Sequence, residues 1–280
     1  MRARIRGGIN TVMESLTALA ALLVVLPLVL ILVFLVYQGA SAVNLDFFTQ
    51  LPKPVGEPGG GMANAIVGTL TLIGLASCLG LPLGILGGVY LAESRDRHVP
   101  GMVRFLADVL NGVPSIVIGI FAYTILVLPM RRFSALAGGF ALAVIMLPIV
   151  LRTTEELVRL VPASLHEAAL ALGIPEWKVI LRVVLPTARA GIITGVMVAV
   201  ARIAGETAPL LFTAFGNRFW HQGLLQPIAA LPLQIFAYAI APFEDWHRQA
   251  WAGALVLILL IFSSSLVARI VTKGRYSGLR

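Results

Sequence analysis

The sequence predicts an all-α polytopic membrane protein with six transmembrane helices and a long cytoplasmic loop between the fourth and the fifth. Composition decides the class, because 59% of the residues are hydrophobic and only 12% are charged, whereas soluble domains carry about 25% charged residues. The mean hydropathy of +0.94 comes from recurring apolar runs of roughly 20 residues, the length that crosses a bilayer. A single transmembrane domain over residues 1–280 is therefore expected.

The six apolar runs are separated by polar or proline-rich segments. Their expected bounds are 16–37, 65–91, 103–128, 134–151, 190–215 and 250–271. The first run follows arginines, as a signal peptide would, but it is too long for the apolar region of one. The second is rich in glycine, and small residues let helices approach closely in lipid, so we expect it inside a bundle.

The distribution of Lys and Arg predicts which loops face the cytoplasm. The N-terminus, the turn near 92–104, the segment 152–189 and the C-terminal tail hold fifteen basic residues, whereas the opposite loops hold five. The positive-inside rule therefore places both termini and the segment 152–189 in the cytoplasm.

The segment 152–189 has the pattern of two short helices joined by a glycine turn. Ser164 and Glu167 have the spacing of a capping box, Gly173 suits a left-handed helix end, and Pro175 suits the start of the next helix. Helices under about 12 residues are marginal alone in water. The segment therefore needs a surface on which to dock.

The first of these helices has a small apolar face made of Ala168, Ala169 and Leu172. Such a face suits insertion into a groove on another protein. The second helix is expected to end at Pro186, because proline interrupts a helix.

The same segment resembles the EAA loop of ABC importer permeases. That pattern is Glu-Ala-Ala, three residues, glycine, nine residues, isoleucine, one residue and Leu-Pro; here Val183 stands at the isoleucine position. The resemblance implies a coupling helix seated in a cleft of an ATP-hydrolysing subunit. The implied coupling residues are Glu167, Ala168, Ala169 and Gly173. No lysine of this chain lies in a G-x-x-x-x-G-K-[ST] loop, so ATP and Mg²⁺ would be bound by the partner, and no cofactor is expected here.

Span five carries two charges, Arg202 and Glu206, which share a helix face four residues apart. Arg202 lies about ten residues past the edge of the span, roughly 15 Å deep in a core about 30 Å thick. Each charge at that depth costs on the order of 2.5–3.5 kcal/mol. Gly205 and Pro209 predict a broken helix beside them, which is tolerated where backbone lines a cavity.

Two roles for this pair remain open. The planar fork of Arg202 matches tetrahedral oxyanions, so it could be an anion ligand that Glu206 neutralises between substrates. Alternatively, the pair only fixes the packing of two spans. Asp108, one turn from Arg104 near the edge of span three, predicts a simple interfacial pair with that arginine.

The surroundings of the pair carry a closer resemblance. The segments 201–214 (ARIAGETAPLLFTA) and 111–119 (NGVPSIVIG) are similar to the permeases of the phosphate-specific (Pst) importer. The first segment is more similar to the PstA subunit of that family than to PstC. The resemblance extends from span two to span six. It implies that Arg202, Glu206 and Thr207 lie on the substrate path.

The resemblance also implies the rest of an assembly in a bacterial or archaeal plasma (inner) membrane. The chain would import inorganic phosphate as one half of a heterodimer with a PstC-like permease. A PstB-like ATPase dimer would supply energy, and a phosphate-binding protein would deliver the substrate from outside.

Other functions stay open on the residues alone. Molybdate or sulfate would present the same chemistry to Arg202. An intramembrane enzyme is disfavoured, because the chain has no G-x-S-x-G or H-E-x-x-H motif and its four histidines have no shared metal spacing. A channel would gain nothing from an ATPase-docking loop.

The apolar segment 226–238, broken by two prolines, is expected at the outer interface, against lipid or a binding protein.

Overall fold

The protein is described by a computed structural model covering residues 2–54, 57, 59–94, 96 and 98–273. Almost every ordered element is helical. The α-helices in chain order are α1 Arg2–Gly39, α2 Leu45–Thr49, α3 Ala63–Glu93, α4 His98–Gly112, α5 Ser115–Met130, α6 Ala135–Arg159, α7 Ala163–Ala171, α8 Glu176–Ala204, α9 Ala208–Thr213, α10 Leu231–Ala239 and α11 Glu244–Lys273.

Five of the described helices, α1, α3, α6, α8 and α11, are long and apolar enough to cross a membrane, and the pair α4–α5 passes the same test together. Six spans therefore result if that pair is one span. The expected span over 103–128 is sharply bent, because α4 and α5 meet at 103°. Pro114 has an extended backbone with ψ 134°, and a proline also disfavours helical geometry in the residue before it.

The bundle has two ends. The loop end carries Glu93, helix α7 and the C-terminus of α6. The far end carries the N-termini of α3 and α6 together with the loop 214–230.

The expectation for span two is confirmed, since α3 runs alongside α6 through small residues. A Cβ added to Gly84 would lie 2.8 Å from Val150 Cβ, and one on Gly88 would lie 2.6 Å from the Leu151 carbonyl oxygen.

Helix α8 is longer than expected, because it passes through Pro186 instead of ending there. A π-helical turn, Ile180–Val184, ends two residues before this proline. Proline donates no hydrogen bond and clashes with the carbonyl four residues earlier, and the wider π turn displaces that carbonyl. The same device precedes Pro129 in α5, where Tyr123–Val127 is π-helical.

The fifth span also ends earlier than the expected 190–215. Helix α8 stops at Ala204, residues 205–207 are not helical, and α9 follows as a separate short helix. The broken backbone expected beside Arg202 is thus present.

The first half of segment 226–238, expected to contact lipid or a binding protein, is instead buried inside the bundle. Ile228, Ala230 and Leu231 are fully buried, and the N–H of Leu231 donates to Thr69 Oγ1 at 2.8 Å. The two prolines prevent a continuous helix, so freed backbone groups need other partners. The bundle supplies them at the far end of α3.

Candidate coupling surface and anion path

Helix α7 begins with Pro162 as its N-cap residue and shows no side-chain cap. The capping box predicted for Ser164 is therefore wrong. The helix starts at Ala163, so Glu167 is its fifth residue. A capping box instead places the glutamate at the third helical residue, after a serine N-cap.

The glycine turn after α7 has the geometry that the sequence predicts. Gly173 has φ +75°, its N–H donates to the Leu170 carbonyl at 2.9 Å, and the N–H of Ile174 donates to the Ala169 carbonyl at 3.4 Å. This bond pair is the Schellman motif, which satisfies carbonyls that a helix end leaves unpaired. Pro175 then caps the start of α8, as predicted.

The coupling residues divide between two faces of α7. Glu167, Ala168 and Gly173 are exposed, but Ala169 is buried against Val158 and its cluster. The expectation that Ala169 belongs to an exposed apolar face is therefore wrong, since this residue packs α7 against the bundle. The most exposed apolar side chains of this region are Leu172, which is 79% exposed, and Trp177 in the first turn of α8, which is 59% exposed.

Glu155 is the centre of an ion cluster that sequence inspection missed. Its side chain is 1% exposed and lies within 2.6 Å of Arg104 Nε, 3.0 Å of Arg152 Nη1 and 2.8 Å of Arg159 Nη2. Arg104 and Arg159 also donate to the carbonyl oxygen of Leu91. The cluster therefore joins α3, α4 and α6 at the loop end.

The expected Arg104–Asp108 pair is replaced by this cluster. Arg104 turns towards Glu155, and Asp108 instead pairs with Arg152 Nε at 3.2 Å. The signal for Glu155 was present in the sequence, because Arg152 and Arg159 stand three residues before it and four after it, on one helix face.

The structure brings Arg202, Glu206 and Thr207 together at the break after α8. Arg202 Nη2 lies 3.8 Å from Glu206 Oε1, and the side chains are 54% and 15% exposed. Thr207 is the N-cap residue of α9 without a side-chain cap bond, and its carbonyl accepts from Leu211 N–H at 3.2 Å. The two charges are neighbours across a helix end rather than within one helix.

The depth of the pair follows from the antiparallel packing of α8 on α6. Added Cβ atoms on Gly191 and Gly195 would contact Leu157 and Thr153 respectively. Each residue further along α8 matches about one residue back along α6, because both are α-helices of equal rise. Arg202 therefore stands about level with Met146, near the middle of α6, and Glu206 follows just beyond the end of α8 towards the far end.

The chain is similar to known membrane proteins along most of its length. Residues 80–275 match the family described as "Binding-protein-dependent transport system inner membrane component". The chain belongs to this permease family.

Within that permease family, named relatives cover most of the chain. It is 47% identical over 245 residues to the phosphate transport system permease protein PstA of Yersinia pestis, covering 87% of this chain and 83% of the relative. It is 44% identical over 262 residues to PstA of Pasteurella multocida, covering 93% of each. The probable phosphate transport system permease protein PstA of Methanocaldococcus jannaschii is 38% identical, covering 90% of this chain and 89% of the relative.

Solved structures show the same fold at low identity. The MetNI methionine ABC transporter, in inward-facing conformations, gives a TM-score of 0.60 at 16% identity, covering 76% of this chain and 96% of that chain. An amino acid ABC transporter gives 0.51 at 17% identity, covering 76% and 90%. The fold is therefore that of an ABC importer permease.

Proposed function

We propose that this chain is a permease subunit of an ABC importer that carries inorganic phosphate into the cytoplasm. The observation that carries the proposal is its similarity, over most of its length, to bacterial and archaeal permeases named for phosphate transport. The half-exposed Arg202 at mid-depth supplies the chemistry that such a substrate requires.

Arg202 is suited to bind an anion because its guanidinium forms no hydrogen bond with the neighbouring Glu206 carboxylate. The 3.8 Å separation from Glu206 Oε1 exceeds hydrogen-bond distance, so the guanidinium keeps donors available while its charge is partly balanced. Guanidinium and phosphate pair through parallel N–H donors. Exposed Gly205 adds no side chain beside it.

We assign the loop end to the cytoplasm and the far end to the outside, in keeping with the excess of basic residues at the loop end. Exposed Glu167, Ala168 and Gly173, together with Leu172 and Trp177, would form the surface that meets an ATPase. ATP and Mg²⁺ would be bound by that partner, a PstB-like dimer.

Two further partners complete the proposed assembly. The exposed face along Arg202 would be closed by a PstC-like permease, so that the path lies between the two chains. A phosphate-binding protein would deliver the substrate to the far end.

The direct test is uptake by the reconstituted importer. We expect proteoliposomes that hold this chain and its three proposed partners to accumulate radiolabelled phosphate only when ATP is present on the side of the membrane that carries the ATPase. Excess sulfate or molybdate should not compete. Uptake of sulfate or molybdate in place of phosphate would replace the substrate, and absence of ATP-dependent uptake of any oxyanion would overturn the proposal.

A further inference from the structure

The far end holds a cavity whose lining does not include Arg202. It has a volume of about 350 Å³ and lies between α9, the loop 214–230, α10 and the start of α11. Its walls are mostly apolar or aromatic. The polar side chains that line it are Asn217, Arg218, Gln234 and Tyr238. No carboxylate lines it, so it offers one positive charge and several neutral hydrogen-bonding groups.

The guanidinium of Arg218 is held in place by aromatic rings rather than by an acid. Its Cζ lies 5.5 Å from the centroid of the Trp246 ring, at cation–π distance. Trp246 is stacked on Tyr238 with ring centroids 4.5 Å apart. Among the described carboxylates none forms an ion pair with Arg218, whereas Arg248 on the same end pairs with Asp245 at 3.5 Å. The N–H donors of Arg218 are therefore available to an external anion.

Tyr238 gives the cavity a buried polar group. Its side chain belongs to a residue that is 2% exposed, and burial raises the pKa of its hydroxyl, which is also hydrogen-bonded to Gln234. The hydroxyl therefore stays protonated at neutral pH and can donate. Neutral donors beside one guanidinium favour a small oxyanion over a cation.

The cavity borders α9, the short helix that follows the break beside Arg202. Leu211 lines the cavity and bonds through its N–H to the Thr207 carbonyl, one turn earlier. Phe215 and Gly216 then adopt φ +62° and +87°, a backbone that non-glycine residues rarely adopt. These two left-handed residues turn the chain so that Arg218 lies over α11 instead of continuing outward.

A larger cavity at the same end has the wrong charge for this purpose. It measures about 540 Å³ and is lined by Glu57, Glu244 and Asp245 as well as by Lys53 and Arg248. Three carboxylates around one space repel an anion. Charge therefore separates the two cavities, and the smaller one suits an oxyanion.

We propose that Arg218 and its cavity form an outer anion site, which receives inorganic phosphate at the far end before the ion reaches Arg202. This inference rests on the proposed function and deepens it by adding a second stop on the path. Arg218 takes the ion where the chain meets the outside, and Arg202 takes it at mid-depth.

The test compares Arg218→Gln with Arg218→Lys in the complete reconstituted importer, with inorganic phosphate as the probe. At saturating phosphate-loaded binding protein, we expect Arg218→Gln to lower maximal uptake about tenfold or more, since charged hydrogen bonds carry that much binding. Arg218→Lys should retain part of the rate. Stimulation of ATP hydrolysis by the binding protein should survive in both, which shows that the complex is assembled.

Arg248→Gln is the matched control, because it removes the same charge from the same end outside the proposed site. It should transport at the parental rate, and an equal loss in this control would overturn the proposal in favour of a general charge effect. A higher half-saturating concentration of binding protein at unchanged maximal uptake would assign Arg218 to protein docking and overturn it too. Parental uptake by Arg218→Gln overturns the outer site alone, whereas a parent chain that moves no phosphate overturns the proposed function.

Discussion

Arg104 Nε of α4 donates a 2.6 Å hydrogen bond to Glu155 Oε1 of α6, and this bond ties the bent α4–α5 pair to the central helix at the loop end. Two more arginines contact the same carboxylate. A buried carboxylate surrounded by guanidiniums is strongly destabilising to break, because the remaining charges lose their counter-ion.

We predict that Glu155→Gln lowers the free energy of unfolding by about 3–5 kcal/mol, the cost of breaking a buried pair. Thermal unfolding of the detergent-purified complex measures this. Asp108→Asn is the matched control, because Asp108 is 56% exposed and exposed pairs contribute about 0–1 kcal/mol. Equal effects of the two changes would show that Glu155 is not the centre of the cluster.

The packing of α3 on α6 gives a second prediction. Gly88→Val should destabilise the bundle by about 1–3 kcal/mol or more, because an added Cβ would lie 2.6 Å from both the Leu151 carbonyl oxygen and Thr154 Cβ. Gly74→Val on the same helix meets nothing within 4 Å and is the control. Thermal unfolding of the two variants measures the difference, and a similar loss in both would indicate a helix-propensity effect instead.

The membrane spans could be predicted from the sequence, whereas the course of the helices at their prolines could not. Apolar runs predicted the spans, and glycine content predicted that α3 packs inside the bundle, because burial in lipid and close packing act on local composition. The bend at Pro114 and the passage of α8 through Pro186 were not predictable in the same way, since a proline can end, bend or be absorbed by a helix. Tertiary contacts and a π turn decide among these outcomes.

The candidate sites divide along the same line. The left-handed Gly173 and the break after Arg202 follow from local backbone chemistry, and both were predicted. The burial of Ala169, the partner of Asp108 and the cavity at Arg218 depend on segments distant in sequence. Arg218 and Trp246 are separated by α10, so no local pattern indicates their contact.

The third prediction concerns coupling. Gly173→Arg should reduce phosphate uptake while the spans stay folded, because φ +75° is strained for a bulky residue and the exposed turn lies on the proposed ATPase surface. Gly173→Asn is the control, since asparagine tolerates the left-handed conformation. Uptake and ATP turnover of the purified complexes are the measurements. Parental uptake by Gly173→Arg, with the ATPase still bound, would contradict a coupling role for this turn.

The fourth prediction concerns orientation. In a Cys78→Ser background, a cysteine at Lys53 should react with a membrane-impermeant thiol reagent added to intact cells, and a cysteine at Lys178 should react only after permeabilisation. The reason is the excess of basic residues at the loop end. Mass shifts of the purified protein report the labelling. The reverse pattern would invert the proposed topology and remove the ATPase surface from the cytoplasm.

The last prediction separates the two roles of Arg202. Arg202→Leu should abolish phosphate uptake, but it leaves Glu206, which is 15% exposed, without its nearest cation, so misfolding alone could explain the loss. The double change Arg202→Leu with Glu206→Leu removes both charges, and the bundle should assemble at least as well as the parent, because neither charge then needs a partner at mid-depth. If Arg202 only balances Glu206, the double variant will transport. If Arg202 binds the anion, the double variant will assemble and its ATP hydrolysis will be stimulated by the binding protein, but it will transport no phosphate. Uptake near the parental rate in a well-assembled double variant would therefore leave this pair a packing role alone.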